Sequence, residues 1–215
     1  MKRLVVLISG SGSNLQAILD YLAQGTCPAQ VTAVISNKSD AYGLERARNA
    51  GIPTFSLSHK DFSSREAFDA ELMALIDTQR PDLVILAGFM RILTPEFTRH
   101  YSGRLFNIHP SLLPKYKGLH THQRAIEAGD KLHGATVHFV TEELDGGPLI
   151  IQGQLDINSE DNPDSLAQRV HILEHQIYPM AVDWYCSDRL SLSPDGTVLL
   201  DNTPLPAAGY THRSS

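Results

Sequence analysis

Short apolar runs alternate with segments of helical period along the first half of the chain. The runs contain few polar residues, which is typical of strands buried on both faces of a parallel sheet. Strands are predicted at residues 3–9, 30–36, 54–57, 82–88 and 104–108. Helices are predicted at residues 15–23, 42–50 and 64–79. This order predicts an open parallel sheet with helices on both faces, in which the very apolar strand at 82–88 is central.

The second half of the chain has a different pattern. Strands predicted at 134–141 and 148–157 are joined by a Gly-rich connection, which favours antiparallel pairing. A long helix is predicted from Ser165 to about Cys186, and a Pro-Asp-Gly turn predicts a hairpin over 191–202. No repeat or linker is present. We therefore predict an α/β fold in one domain of residues 1–215, with a mostly parallel twisted sheet and an antiparallel addition in its C-terminal half.

The residue counts narrow the class of protein. Among 215 residues, 18 Lys and Arg stand against 24 Asp and Glu, and the net charge of −6 argues against a nucleic-acid or anionic-membrane binder. No apolar run approaches the roughly 20 residues that cross a bilayer, and the N-terminal run is too short for a signal peptide. The two cysteines, Cys27 and Cys186, suit a reducing compartment. We expect a cytoplasmic protein that acts on small molecules.

A glycine-rich loop, Gly10-Ser11-Gly12-Ser13-Asn14, lies between the first predicted strand and the first helix. At the carboxyl edge of a parallel sheet, backbone N–H groups and a helix N-terminus form an anion site, to which Ser13 and Asn14 add donors. Leu15 replaces the third glycine of the dinucleotide pattern, and no Lys-Ser/Thr follows, so a monophosphate is favoured over a pyrophosphate. The alternative is that Ser13 and Asn14 only cap the helix.

A second candidate site lies at the end of the strand at 104–108. Alternation places Asn107 and His109 on one face, where an amide and an imidazole suit the chemistry of a carbonyl carbon. Asp145, before Gly146-Gly147, lies in a tight connection from which its carboxylate could favour the protonated form of His109. There is no Ser elbow and no plausible cysteine nucleophile, which favours direct group transfer. The alternative is that Asn107 and His109 only satisfy loop backbone groups.

The segment His171-Ile172-Leu173-Glu174-His175 matches the inverted zinc-peptidase pattern on the long helix. Two histidines four residues apart share a helical face and could bind zinc with a third ligand, and His120 and His122 add to the histidines available. The alternative is that the two histidines flank a glutamate that faces solvent or a substrate. We favour this reading without metal.

Several motifs taken together resemble one family. They occur in the family's order from about Leu4 to Tyr210, and the Asn-x-His-Pro-Ser-Leu-Leu-Pro string with a later Asp-Gly is highly specific for folate formyltransferases. The strings are Gly12-Ser13-Asn14-Leu15, Gly88-Phe89-Met90-Arg91-Ile92-Leu93, Asn107-Ile108-His109-Pro110-Ser111-Leu112-Leu113-Pro114, Gly118-Leu119-His120-Thr121-His122 and Leu144-Asp145-Gly146-Gly147-Pro148. The chain resembles the phosphoribosylglycinamide formyltransferases, which implies a Rossmann-like formyltransferase fold.

The resemblance implies direct transfer of the formyl group of 10-formyltetrahydrofolate to the amine of phosphoribosylglycinamide in purine biosynthesis, with no metal. The implied catalytic residues are Asn107, His109 and Asp145. The implied phosphoribosylglycinamide-binding residues are Gly12, Ser13, Asn14 and Glu174. The implied folate-binding residues are Arg65, Met90, Arg91, Ile92, Leu93, Asn107, Thr141, Glu142, Glu143, Leu144 and Asp145. A monomer or weak homodimer is expected.

Three other readings stay open at this point. Methionyl-tRNA formyltransferase and formyltetrahydrofolate deformylase would be expected to carry an additional C-terminal or N-terminal domain. A non-catalytic phosphosugar- or nucleotide-binding module needs the loop at 10–14 but not Asn107, His109 or Asp145. The zinc peptidase is the third. Residues 115–131, with Gly118 and Gly129, suit either a lid over the site or a static loop.

Overall fold

The computed structural model describes residues 1–214, which divide into two compact units. The first unit is Met1–Asn107, and the second begins at Ile108. The dividing point falls inside one strand, Leu105–His109, so this strand runs from the first unit into the second.

In the first unit, parallel strands alternate with helices. The strands are β1 (Lys2–Ile8), β2 (Ala29–Ser36), β3 (Thr54–Ser56), β4 (Leu83–Leu86) and β5 (Leu105–His109). The helices are α1 (Ser13–Ala23), α2 (Tyr42–Asn49), α3 (Arg65–Thr78) and α4 (Pro95–His100), with a 3₁₀ turn at His59–Asp61. The strand order is β3-β2-β1-β4-β5, and every pair is parallel. The apolar strand β4 therefore lies between two others, as predicted.

Local side-chain contacts explain where two of these helices begin. The Oγ of Ser64 accepts a hydrogen bond from the N–H of Ala67 (3.0 Å) at the start of α3. Thr94 caps α4 in the same way, and its own N–H donates to the buried carboxylate of Asp69 on α3 (2.7 Å). The first half of α3 and the start of α4 are thus tied by a polar contact.

The second unit is built on an antiparallel pair. Its elements are α5 (Thr121–Glu127), β6 (Leu132–Phe139), β7 (Leu149–Asp156), α6 (Pro163–Cys186), β8 (Leu190–Leu192), β9 (Val198–Leu200), β10 (Thr203–Pro204) and β11 (Tyr210–Arg213). The strands β6 and β7 pair antiparallel, and β11 pairs parallel to the other edge of β7. A small separate sheet has the order β10-β9-β8.

The predicted fold class is confirmed, with a mostly parallel sheet and antiparallel strands in the C-terminal half. The hairpin predicted at 191–202 is β8 and β9. The hydrophobic pattern did not predict α4, α5, β10 or β11, because each is too short or too polar to show a period. One domain over residues 1–215 stays a prediction. Within residues 1–214, none of the helices combines the length and apolar character that crossing a membrane requires.

Candidate active site

The candidate site begins with two polar side chains on β5. Asn107 and His109 are two residues apart on this strand, so the pleat directs both side chains to the same face. Asn107 is half-buried and His109 is 6% exposed. Pro110 follows directly and cannot donate a ladder hydrogen bond, so the chain leaves the sheet just after His109.

The two ring nitrogens of His109 have different partners. Its Nε2 lies 2.8 Å from the backbone carbonyl oxygen of Tyr116. Because a carbonyl oxygen only accepts, Nε2 carries a proton and donates it to this bond. Nδ1 lies 3.6 Å from Oδ2 of Asp145, and both side chains are buried. One nitrogen is therefore fixed by the backbone while the other faces a carboxylate.

Asp145 reaches His109 from the connection between β6 and β7. Its backbone has a φ of 50°, which is in the left-handed region that non-glycine residues rarely adopt. Its Oδ2 also accepts a hydrogen bond from the N–H of Gly118 (3.0 Å). A Cβ at Gly147 would lie 1.8 Å from the carbonyl oxygen of Phe139, so only glycine fits beside this turn. The sequence prediction placed Asp145 near His109, and the structure brings the two together.

The loop that supplies the Tyr116 carbonyl is held by buried polar side chains. Thr136 Oγ1 donates to the carbonyl of Ser111 (2.7 Å) and accepts from the N–H of Leu113 (3.1 Å). Gln152 Nε2 donates to the carbonyl of Leu113 (2.7 Å). Both side chains belong to the pair of β6 and β7, so this pair fixes the loop that orients His109. Sequence reasoning missed Thr136, Gln152 and Tyr116.

The segment at 115–131 contains α5 and is tied down at several points. Tyr116 donates its hydroxyl hydrogen to the carboxylate of Asp130 (2.6 Å), and Lys115 forms an ion pair with the same carboxylate (3.1 Å). His122 Nδ1 lies 3.0 Å from His133 Nε2, so one ring donates to the other. Burial lowers the pKa of both histidines, that of His133 to about 4. The pair is therefore uncharged at neutral pH.

The glycine-rich loop belongs to the first unit. Gly12, with a φ of 72°, is the N-cap residue of α1 and has no side chain to offer a cap. Ser13 and Asn14 already lie within the helix, so the alternative that they only cap it is wrong. Asn14 Oδ1 is buried and has no hydrogen-bond partner within residues 1–214. An oxygen in this state is suited to accept a hydrogen bond from a ligand.

Four of the predicted folate-binding residues of the first unit, residues 90–93, follow β4. Met90 is 67% exposed and Ile92 is 56% exposed, which are high fractions for large apolar side chains. The N–H of Met90 donates to Ser9 Oγ (2.8 Å), which ties this segment to the end of β1. Arg91 lies over the ring of Phe68 (5.3 Å), and its buried Nε has no hydrogen-bond partner in the described part of the chain. Leu93 is half-buried, and Arg65 is exposed at the start of α3.

In the second unit, the remaining predicted folate residues lie beside Asp145. Thr141, Glu142 and Glu143 are exposed, and Leu144 is 56% exposed. Lys117 forms an ion pair with Glu143 (2.8 Å). Leu144 is a large apolar side chain exposed beside Asp145, which suits contact with a flat ring.

Glu174 lies on α6 and is 5% exposed. Burial raises the pKa of its carboxyl to about 8, so the group binds a proton at neutral pH. His171 is exposed, with Nε2 3.8 Å from Oε2 of Glu174. The reading of Glu174 as a solvent-facing residue is wrong. Within residues 1–214, no three His, Cys, Asp or Glu side chains are grouped to hold a metal ion.

The fold and the paired imidazole and carboxylate define an α/β enzyme. The formyl transferase family model matches residues 2–182, and the chain belongs to this family. The phosphoribosylglycinamide formyltransferase of Escherichia coli (strain K12) is 55% identical over 207 residues, covering 96% of this chain and 97% of that protein. The trifunctional purine biosynthetic protein adenosine-3 of Drosophila melanogaster is 52% identical over 197 residues, covering 90% of this chain and 14% of that protein.

Solved structures of phosphoribosylglycinamide formyltransferases are also similar to this chain. The phosphoribosylglycinamide formyltransferase of Coxiella burnetii, solved in complex with CHES, has a TM-score of 0.94 and 50% identity, covering 98% of this chain and 99% of that chain. Glycinamide ribonucleotide transformylase 1 of Symbiobacterium toebii has a TM-score of 0.89 and 44% identity, covering 93% of this chain and 94% of that chain.

Proposed function

We propose that this protein transfers the formyl group of 10-formyltetrahydrofolate to the amine of phosphoribosylglycinamide. The observation that carries the proposal is the buried pair of His109 and Asp145, in which His109 lies on the strand that also presents Asn107. Membership of the formyl transferase family and the high identity to phosphoribosylglycinamide formyltransferases support the choice of reaction and substrates.

Asn107 and His109 act on the oxygen of the formyl group. When the substrate amine attacks the formyl carbon, negative charge develops on this oxygen. The Asn107 amide and the protonated imidazole of His109 donate hydrogen bonds to it and stabilise the tetrahedral intermediate. The Tyr116 carbonyl occupies Nε2 of His109, so Nδ1 is the nitrogen that serves this role.

Asp145 lies beside His109 and guides the proton that must move. Its carboxylate lies 3.6 Å from Nδ1, longer than a direct hydrogen bond, and it can also accept a hydrogen bond from a water molecule beside the imidazole. Through such a water, Asp145 takes the proton from the attacking nitrogen and passes it to the departing folate nitrogen. The C–N bond to the folate then breaks, and the N-formyl product and tetrahydrofolate are released.

The two substrates are bound by residues that the family resemblance implies. We propose that Gly12, Ser13 and Asn14 bind the phosphate and that Glu174 contacts the rest of phosphoribosylglycinamide. We propose that the folate is bound by the other residues that the resemblance implies, which are Arg65, Met90, Arg91, Ile92, Leu93, Asn107, Thr141, Glu142, Glu143, Leu144 and Asp145. The family match spans both units, which supports a single formyltransferase domain of residues 1–215. We propose a cytoplasmic monomer or weak homodimer that uses no metal and binds neither nucleic acid nor membranes.

A formyl-transfer assay with both substrates tests this proposal. Asn107→Ala and Asp145→Ala are expected to lower kcat by at least about 10²–10³, the usual cost of removing one oxyanion donor or its support. His109→Asn should also be inactive. Asn158→Ala, on an exposed loop, is the matched control and should keep wild-type activity.

Binding measurements separate the enzyme from a binding module. An enzyme loses turnover in these variants while it still binds phosphoribosylglycinamide in calorimetry. Near-native turnover in Asn107→Ala or Asp145→Ala would contradict the assignment of these residues. A folded wild-type protein without transfer activity would contradict the reaction itself.

A further inference from the structure

Helix α2 binds the carbonyl groups of the glycine-rich loop. The N–H of Gly43 donates to the carbonyl oxygen of Gly10 (3.0 Å), and Nε of Arg46 donates to the carbonyl oxygen of Ser11 (2.7 Å). The backbones touch as well, since a Cβ built at Gly12 would lie 2.5 Å from Cα of Gly43. Two consecutive peptide groups of the loop are therefore held from the side of α2.

These two bonds set the direction of the N–H groups of the loop. In a trans peptide, the C=O of one residue and the N–H of the next point in opposite directions. The bond at Gly10 therefore directs the N–H of Ser11 away from α2, and the bond at Ser11 does the same for the N–H of Gly12. Both donors are left facing the side where an anion can bind.

Arg46 also brings a positive charge that no carboxylate neutralises. Its guanidinium lies over the ring of Tyr42 (4.9 Å) and has no ion-pair partner within residues 1–214. Arg48, two residues further along α2, forms an ion pair with Glu45 (3.4 Å). Arg46 thus contacts the glycine-rich loop and keeps its positive charge, whereas the charge of Arg48 is paired with Glu45.

We propose that Arg46 is a positioning residue for the phosphate of phosphoribosylglycinamide. It holds the Ser11 carbonyl so that the N–H of Gly12 faces the phosphate, and it keeps a positive charge beside the loop. This inference rests on the proposed function, and it assigns a role to a residue outside the binding loop itself.

Steady-state kinetics of Arg46→Gln, Arg46→Lys and the matched control Arg48→Gln test the inference. Arg46→Gln is expected to raise the KM for phosphoribosylglycinamide by about 10- to 100-fold, the usual range for a lost hydrogen bond to a charged group. Its kcat should stay within about threefold, and its KM for 10-formyltetrahydrofolate should not change. Arg46→Lys keeps the charge but loses the planar donor, so its KM should lie between those of wild type and Arg46→Gln. Arg48→Gln should behave as wild type.

Calorimetry with ribose 5-phosphate and with ribose alone gives a second readout that does not depend on turnover. Arg46→Gln should weaken binding of ribose 5-phosphate, while any binding of ribose should be equal in both proteins. An unchanged KM, an equal loss for both substrates, or the same effect in Arg48→Gln would overturn the inference. If wild type transfers no formyl group but Arg46→Gln still weakens ribose 5-phosphate binding, the proposed reaction fails and the role of Arg46 in phosphate binding stands.

Discussion

The buried carboxyl of Glu174 makes the stability of the protein depend on pH in a predictable direction. Burial raises its pKa from 4.5 to about 8, and Glu174→Gln removes the titration while keeping the size of the side chain. Between these two values the folded state holds a proton that the unfolded state has lost. The part of the free energy of unfolding that depends on this proton is therefore greatest below pH 4.5. It falls by about 1.4 kcal/mol per pH unit as the pH rises towards 8.

Over the whole window, this change amounts to roughly 5 kcal/mol, which is a large part of the stability of an ordinary domain. Urea unfolding of wild type and Glu174→Gln at intervals from pH 4.5 to 9 measures this change in the free energy of unfolding. Other groups titrate equally in both proteins, so the difference between the two curves isolates Glu174. We expect similar stabilities near pH 4.5 and a variant that is more stable by several kcal/mol at pH 9.

A control variant removes one negative charge from the surface. Glu160 is exposed in the loop before α6, and Glu160→Gln measures the effect of net charge alone. A difference between wild type and Glu174→Gln that stays constant from pH 4.5 to 9 would refute the reasoning. It would mean that Glu174 is hydrated or paired well enough to ionise normally in the folded state.

Two further predictions concern the scaffold of the second unit. Thr136→Val removes the buried hydroxyl that bonds to Ser111 and Leu113, so urea unfolding should show a loss of about 1–3 kcal/mol, and a change below about 0.5 kcal/mol would contradict this role. Gly134→Ala places a Cβ 1.8 Å from a carbonyl oxygen of the facing strand and should cost about 3 kcal/mol or more. Gly196→Ala, with open space but a φ of 84°, should cost about 1 kcal/mol, and equal losses in the two alanine variants would show that the close contact does not matter.

The strands and long helices could be predicted because burial leaves a clear pattern in the sequence. The run at 82–88 is apolar at nearly every position, and the structure places β4 between β1 and β5. The short helices α4 and α5 have six and seven residues, too few for a helical period to appear. The start of α4 depends on Asp69, which is distant in sequence, so the local pattern could not reveal this contact.

The candidate site could be predicted in part for a similar reason. Asn107, His109 and Asp145 carry reactive side chains in a recognisable order, and the structure pairs two of them. The group that fixes His109 is a backbone carbonyl, which any residue at position 116 would supply, so the sequence has no signal for it. The sequence also left open whether Glu174 faces solvent, because burial depends on what packs against α6.

The pairing of β11 with β7 has a consequence for how the protein avoids aggregation. Strand β7 is buried along most of its length and begins with Leu149, Ile150 and Ile151, and an unpaired edge of such a strand is a template on which other chains can add. The segment that covers this edge is separated from it in the chain by the whole of α6 and the small sheet. During synthesis, β7 is thus made well before its partner, and its open edge is vulnerable until β11 arrives. In the folded protein the outermost strand, Tyr210–Arg213, is short and carries the polar sequence Thr-His-Arg, which makes a poor surface for further strand addition.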